Sequence, residues 1–102
     1  MYKNINMPLG MADMAMKLRE MLNSQDILRV GGAFDPLSAK LVEFYNFDAI
    51  WASSFTISAI NLLPDAGLMT MTEFLAAAKS MKDCCNIPVI ADCDTGFGGP
   101  TN

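Results

Sequence analysis

The stretch IPVIADCDTGFGGP, residues 87–100, runs from apolar residues into two aspartates two apart and then into glycines. An apolar run without polar alternation is what a strand of a parallel sheet looks like, because such strands are covered on both faces. Residues 87–94 are therefore expected to form a strand. Its C-terminal end changes abruptly to charge, and ligands of parallel α/β proteins bind at that end. Two further segments repeat the pattern upstream. ILRVGGAF (27–34) leads into Asp35-Pro36, and FDAIWAS (47–53) leads into Ser54.

Helical patterns fill the spaces between these strands. Residues 11–24, MADMAMKLREMLNS, carry Met14, Leu18, Met21 and Leu22 at i, i+4, i+7 and i+8, the apolar face of a helix. Asp35 as N-cap with Pro36 at the first helical position opens a second helix over 36–45, with Leu37, Leu41 and Phe44 on one face. Thr70 and Glu73 have capping-box spacing ahead of FLAAAKSMK, which predicts a helix over 71–83. Residues 54–69 contain Pro64, Asp65 and Gly67 and are expected to be mainly loop, with a helical turn around ISAINLL. The order α, then β-α-β-α-β, implies right-handed crossovers and a parallel sheet. The fold class is α/β, and either an open doubly wound sheet or the opening units of a (β/α)8 barrel satisfies the pattern.

Composition narrows the partners. The chain has 102 residues, enough for one small domain, and 52% are hydrophobic. Net charge is −4, which argues against nucleic acid and anionic membrane surfaces, both of which want basic patches. A small anionic substrate remains compatible, since a local site can oppose the global sign. Cys84, Cys85 and Cys93 are odd in number, and the chain has no His. That pattern fits neither a disulfide framework nor a zinc site and reads as reduced, partly buried thiols. The N-terminal residues lack the apolar stretch of a secretory signal. No apolar run approaches the ~18 residues of a membrane span, so the expected compartment is the cytoplasm.

The candidate site follows from the three strand ends. Asp92 and Asp94, two apart in a strand, are expected to project from one face. Two carboxylates so close repel unless a cation or hydrogen bonds intervene. Mg2+, which prefers oxygen ligands, would resolve the repulsion; alternatively, one Asp caps the following turn and the other is solvated. Trp51 and Ser53 share a face by the same period. Together with Ser54 they can line a pocket for a small anion, although a core role for Trp51 fits the pattern as well. The loop Thr95–Pro100 matches neither a Walker loop nor G-x-G-x-x-G. Asp35 reads as a helix cap, and Asp65 lies in the long irregular segment.

Taken together, LREMLNS, GAFDPLSAKLVE, FDAIWASSFTISA, LPDAGLMTMTEF and IPVIADCDTGFG resemble the phosphoenolpyruvate mutase/isocitrate lyase superfamily in order and spacing. DCDTGFG is similar to that family's Asp-x-Asp-Thr-Gly-aromatic-Gly signature. WASSF and TMTEF lean toward its phosphoenolpyruvate mutase and phosphonopyruvate hydrolase branch. The resemblance implies a (β/α)8 barrel, Mg2+ as cofactor, and chemistry on phosphoenolpyruvate, phosphonopyruvate or a related 2-oxo acid. It places Asp92 and Asp94 at the metal. It places Trp51, Ser53 and Ser54 at the substrate, and Asp65 as the catalytic loop carboxylate. Ser54 stands where the family often has Gly, which keeps a backbone donor but changes the pocket's fit. Full-length relatives tend to form homotetramers. The alternatives are a carbon–carbon lyase of the isocitrate or methylisocitrate type, a phosphonopyruvate or oxaloacetate hydrolase, or a non-catalytic interaction fragment.

A barrel of this kind needs about 250 residues. The chain is accordingly expected to be a partial barrel domain over 1–102: a tail at 1–10, a leading helix at 11–24, and three strands with their helices over 27–102. Such a portion is expected to be inactive alone. Its two open sheet edges would make it loosely packed, prone to association, or completed by another chain.

Overall fold

The computed structural model describes residues 11–24 and 27–100. The expected tail at 1–10 and the chain end at Asn102 lie outside the described residues. Helix α1 spans Met11–Ser24, strand β1 Val30–Ala33, α2 Pro36–Phe44, β2 Ala49–Ala52, α3 Ser54–Ile60, α4 Met71–Cys84 and β3 Val89–Ala91. The three strands form one parallel sheet in the order β1-β2-β3. Gly32 pairs with Trp51, which pairs with Ile90; Ala33 pairs with Ala52, which pairs with Ala91. Among the described residues no helix is long and apolar enough to cross a membrane.

Local chemistry sets the helix starts. Asp35 accepts from the Ser38 backbone N–H at 2.8 Å, and Ser38 Oγ accepts from the Asp35 N–H at 3.1 Å, a reciprocal cap. Thr70 and Glu73 exchange the same pair of bonds at the start of α4. Each cap satisfies donors that the first helical turn leaves open.

The core lies on the helix-covered face of the sheet. Ala33, Ile50, Ala52, Ile57, Phe74 and Met81 are each 2% exposed or less. Helix α2 approaches β1 closely because Gly31 has no side chain. A Cβ there would lie 2.7 Å from Val42 Cγ1 and 3.2 Å from Phe47 Cδ1. The buried face of α2 is therefore built on Ala39 and Val42. Leu37, Leu41 and Phe44 share a face as their spacing predicts, but that face is exposed, 50–74%. Leu22 on α1 likewise departs from the expected packed face, at 61% exposed. Helical periodicity identifies a stripe; which stripe is covered depends on where the neighbours fall.

The strands are shorter than the sequence expectation, with β1 starting at Val30, β2 at Ala49 and β3 at Val89, and two further differences bear on the site. Residues 54–60 are a helix that follows β2 directly, earlier and longer than the helical turn expected around ISAINLL, while 61–69 are irregular as expected. Ser53 caps it by accepting from the Thr56 N–H at 3.4 Å. β-branched Thr56, Ile57 and Ile60 weaken helix propensity, and the burial of Ile57 at 1% exposure offsets that. Strand β3 ends at Ala91, three residues before the predicted end. The Asp92 N–H still donates to the Ala52 carbonyl at 3.1 Å, and then the chain turns, with Asp94 at φ 47°.

Candidate active site

The C-terminal ends of β2 and β3 lie side by side, so Ser54 after β2 faces Asp92 and Asp94 after β3. Ser54 Oγ is 3.0 Å from Asp92 Oδ2 and 2.8 Å from Asp94 Oδ1. The Asp94 N–H donates to Asp92 Oδ1 at 3.1 Å. Ser54 is buried, the first residue of α3, and its hydroxyl is fixed by that helix. The two carboxylates thus converge as expected, but by another route. Neither residue is in the strand, so strand alternation does not align them. A tight turn and a hydroxyl from the neighbouring strand end do.

A serine hydroxyl carries one hydrogen and several carboxylate lone pairs surround it here. Ser54 can donate fully to only one of the two carboxylates, which leaves excess acceptor capacity at this point. A hard cation neutralises such a surplus. Mg2+ is commonly held by one or two carboxylates with waters and ligand oxygens completing an octahedron, so the donor set Asp92, Asp94 fits it. No cluster of three or more His, Cys, Asp or Glu able to hold a metal occurs among the described residues.

Trp51 is 39% exposed, on the sheet face that the helices leave uncovered. It stands level with Gly32 and Ile90. A Cβ on Gly32 would meet nothing within 4 Å, so the space beside the indole is open. Trp51 is consequently a wall of the uncovered face and not a core residue. Ser53 is half-buried, and its hydroxyl is engaged as the α3 cap. Asp65 is exposed in the turn before Gly67. Among the described residues no hydrogen bond joins it to Ser53, Ser54, Asp92 or Asp94.

Two contributors escaped the sequence reading. Thr56 Oγ1 donates to the Ser53 carbonyl at 3.2 Å and lies 3.5 Å from the Ala33 carbonyl, so it ties α3 to the end of β1. Phe97, at φ 62°, packs its ring 5.6 Å from that of buried Phe74. The glycine-rich loop is therefore anchored to α4 by an aromatic contact. Phe97 was visible in the sequence only as one aromatic among glycines. Asp35, by contrast, is the helix cap that the sequence indicates.

Residues 18–102 match the sequence profile described as phosphoenolpyruvate phosphomutase. The chain is 42% identical over 89 residues to the 2,3-dimethylmalate lyase of Eubacterium barkeri, covering 86% of this chain and 31% of that protein. It superposes with a TM-score of 0.80 on the crystal structure of phosphoenolpyruvate phosphomutase from Streptomyces platensis subsp. rosaceus, at 48% identity, covering 82% of this chain and 29% of that one. A phosphonopyruvate hydrolase solved in complex with oxalate and Mg2+ gives a TM-score of 0.79 at 40% identity, covering 81% and 29%. The chain spans about a third of the length of these relatives.

Proposed function

We propose a function from one premise: the chain belongs to the phosphoenolpyruvate phosphomutase family, and its strands are the opening units of that family's (β/α)8 barrel. Its relatives include a mutase, a hydrolase and lyases. We read the chain as the part of such an enzyme that carries the Mg2+ carboxylates and one wall of the substrate pocket. The substrate class is phosphoenolpyruvate, phosphonopyruvate or a related 2-oxo acid. The observation that carries this reading is the meeting of Asp92 and Asp94 at Ser54 Oγ.

In this reading Asp92 and Asp94 would hold Mg2+, with the Ser54 hydroxyl within hydrogen-bond reach of both carboxylates. When bound, Mg2+ supplies Lewis-acid stabilisation of charge developing on enolate oxygens. Ser53 and Ser54 border the substrate's oxygens, where backbone donors oppose developing charge. Trp51 walls the uncovered face and excludes water from one side of a planar substrate. Asp65, on an exposed turn, is the loop carboxylate near the substrate. The mutase or hydrolase branch is favoured by WASSF and TMTEF. The carbon–carbon lyase reading is favoured by the 42% identity to a lyase. Both place a 2-oxo acid or its enolate, with its adjacent oxygens, against the metal, so the same residues serve either.

The test is a titration of this chain with Mn2+ as a paramagnetic stand-in, followed by water-proton relaxation. One site per chain is expected, displaced by Mg2+, tightened by oxalate, and lost in Asp92→Asn and Asp94→Asn. Binding that both variants leave intact would sink the assignment.

A further inference from the structure

A second chemical feature lies away from these carboxylates. Cys84 ends α4 and Cys85 caps it, and their sulfurs stand 3.4 Å apart. Cys84 is half-buried and Cys85 is 6% exposed. Beside Cys85 opens a groove of about 640 Å³ between α1, α4 and β3. Its lining is mainly apolar, with Leu18, Leu75, Ile87, Val89 and Ile90 prominent, and Lys79 and Lys82 contribute from α4. Cys85 therefore lines the groove, with the Cys84 sulfur beside it at 3.4 Å.

We propose that Cys84 and Cys85 form a chelating site for a trivalent thiophilic centre bearing an apolar substituent, an arylarsenical being the simplest, with the substituent seated in the groove. Thiol sulfur is a soft ligand and selects soft centres over the hard cations that suit carboxylates. A bent S–As–S unit spans two sulfurs near contact distance, as here. A linear two-coordinate metal would require them to separate. With an arylarsine oxide the step balances. Two S–H bonds and the arsenic–oxygen bond are exchanged for two As–S bonds and one water; arsenic stays trivalent and neither sulfur is oxidised. The more accessible Cys84 forms the first bond. The second closes intramolecularly on Cys85, so the site discriminates against single thiols such as exposed Cys93.

The experiment treats the reduced chain with one equivalent of phenylarsine oxide. Intact mass is then recorded, and remaining thiols are capped with N-ethylmaleimide in denaturant and mapped. One adduct per chain is expected, with Cys93 alone capped, stable to a monothiol and reversed by a dithiol. Cys84→Ser and Cys85→Ser should each weaken retention by about 100-fold or more, the advantage an intramolecular second bond confers. Cys93→Ser should bind as the parent does. Capping of Cys84 or Cys85 in the treated parent chain, or an adduct on Cys93, would overturn the proposal. So would undiminished retention by Cys84→Ser, whose partly accessible position makes it the safer variant for folding. The mapping on the unmutated chain decides the matter even if Cys85→Ser fails to fold.

Discussion

Ser54 and Asp94, 40 residues apart in sequence, meet at 2.8 Å between Oγ and Oδ1, and the same hydroxyl reaches Asp92. The contact makes one serine the organiser of both carboxylates. Ser54→Ala removes the hydroxyl and lets both side chains relax toward solvent. Partners of metal-ligating groups typically contribute about 10–100-fold in metal affinity. We expect Ser54→Ala to weaken Mn2+ binding within that range, read by relaxation titration. Unchanged affinity would show that the hydroxyl does not orient the carboxylates.

Gly31 and Gly32 are neighbours with opposite expectations. A Cβ at Gly31 would sit 2.7 Å from Val42 Cγ1, whereas one at Gly32 meets nothing within 4 Å. Overpacking of this kind costs about 1–3 kcal/mol. Gly31→Ala should lower the unfolding free energy by that amount, read as a lower denaturation midpoint, and Val42→Ala added to it should recover part of the loss. Gly32→Ala should leave the midpoint nearly unchanged. Equal effects of the two glycine substitutions would contradict the packing of α2 on β1.

Glu43 joins α2 to the connection between α4 and β3. Its carboxylate accepts from Lys40 Nζ at 2.6 Å and from the Asn86 N–H. Burial pushes its pKa up, but the Lys40 ammonium and the Asn86 N–H outweigh it, and the net shift is below the ordinary value of 4.5. A carboxyl with a depressed folded pKa stabilises the fold above its unfolded pKa. That contribution declines as pH falls through the folded value. Glu43→Gln should therefore cost on the order of 1 kcal/mol at pH 7 and flatten the acid limb of a stability profile below about pH 4.5. A variant with the parent's acid limb would show that Glu43 does not contribute to it.

The three thiols should differ in reactivity toward an alkylating reagent that requires thiolate. Burial, with the neighbouring Cys84 sulfur, pushes the Cys85 thiol up to about 12. Cys93 is exposed. Timed iodoacetamide labelling at pH 8 should modify Cys93 first and leave Cys85 unmodified until the chain is denatured. Early modification of Cys85 would mean that the end of α4 opens readily.

Much of the fold is legible because its signals are local. The extent of α1, the Asp35 cap with Pro36, and the Thr70–Glu73 box all depend on residues within a turn of one another. The βαβαβ order follows from apolar runs alternating with amphipathic ones. The signature Asp92-Cys93-Asp94-Thr95-Gly96-Phe97-Gly98 marked the family. Which side of α2 is buried was not legible. Leu37, Leu41 and Phe44 are the more apolar stripe, yet Ala39 and Val42 are the covered one, because Gly31 admits the helix there.

The sequence by itself therefore determined the element order, the capped helix starts and the identity of the carboxylate pair. Tertiary structure decided the rest: where β3 stops, that α3 begins at Ser54, and that this serine holds Asp92 and Asp94. The physical reason is range. Caps and periodicity are fixed by neighbours a few bonds away. The end of a strand and the aim of a hydroxyl are fixed by what the adjacent strand presents, and here that partner lies about 40 residues distant.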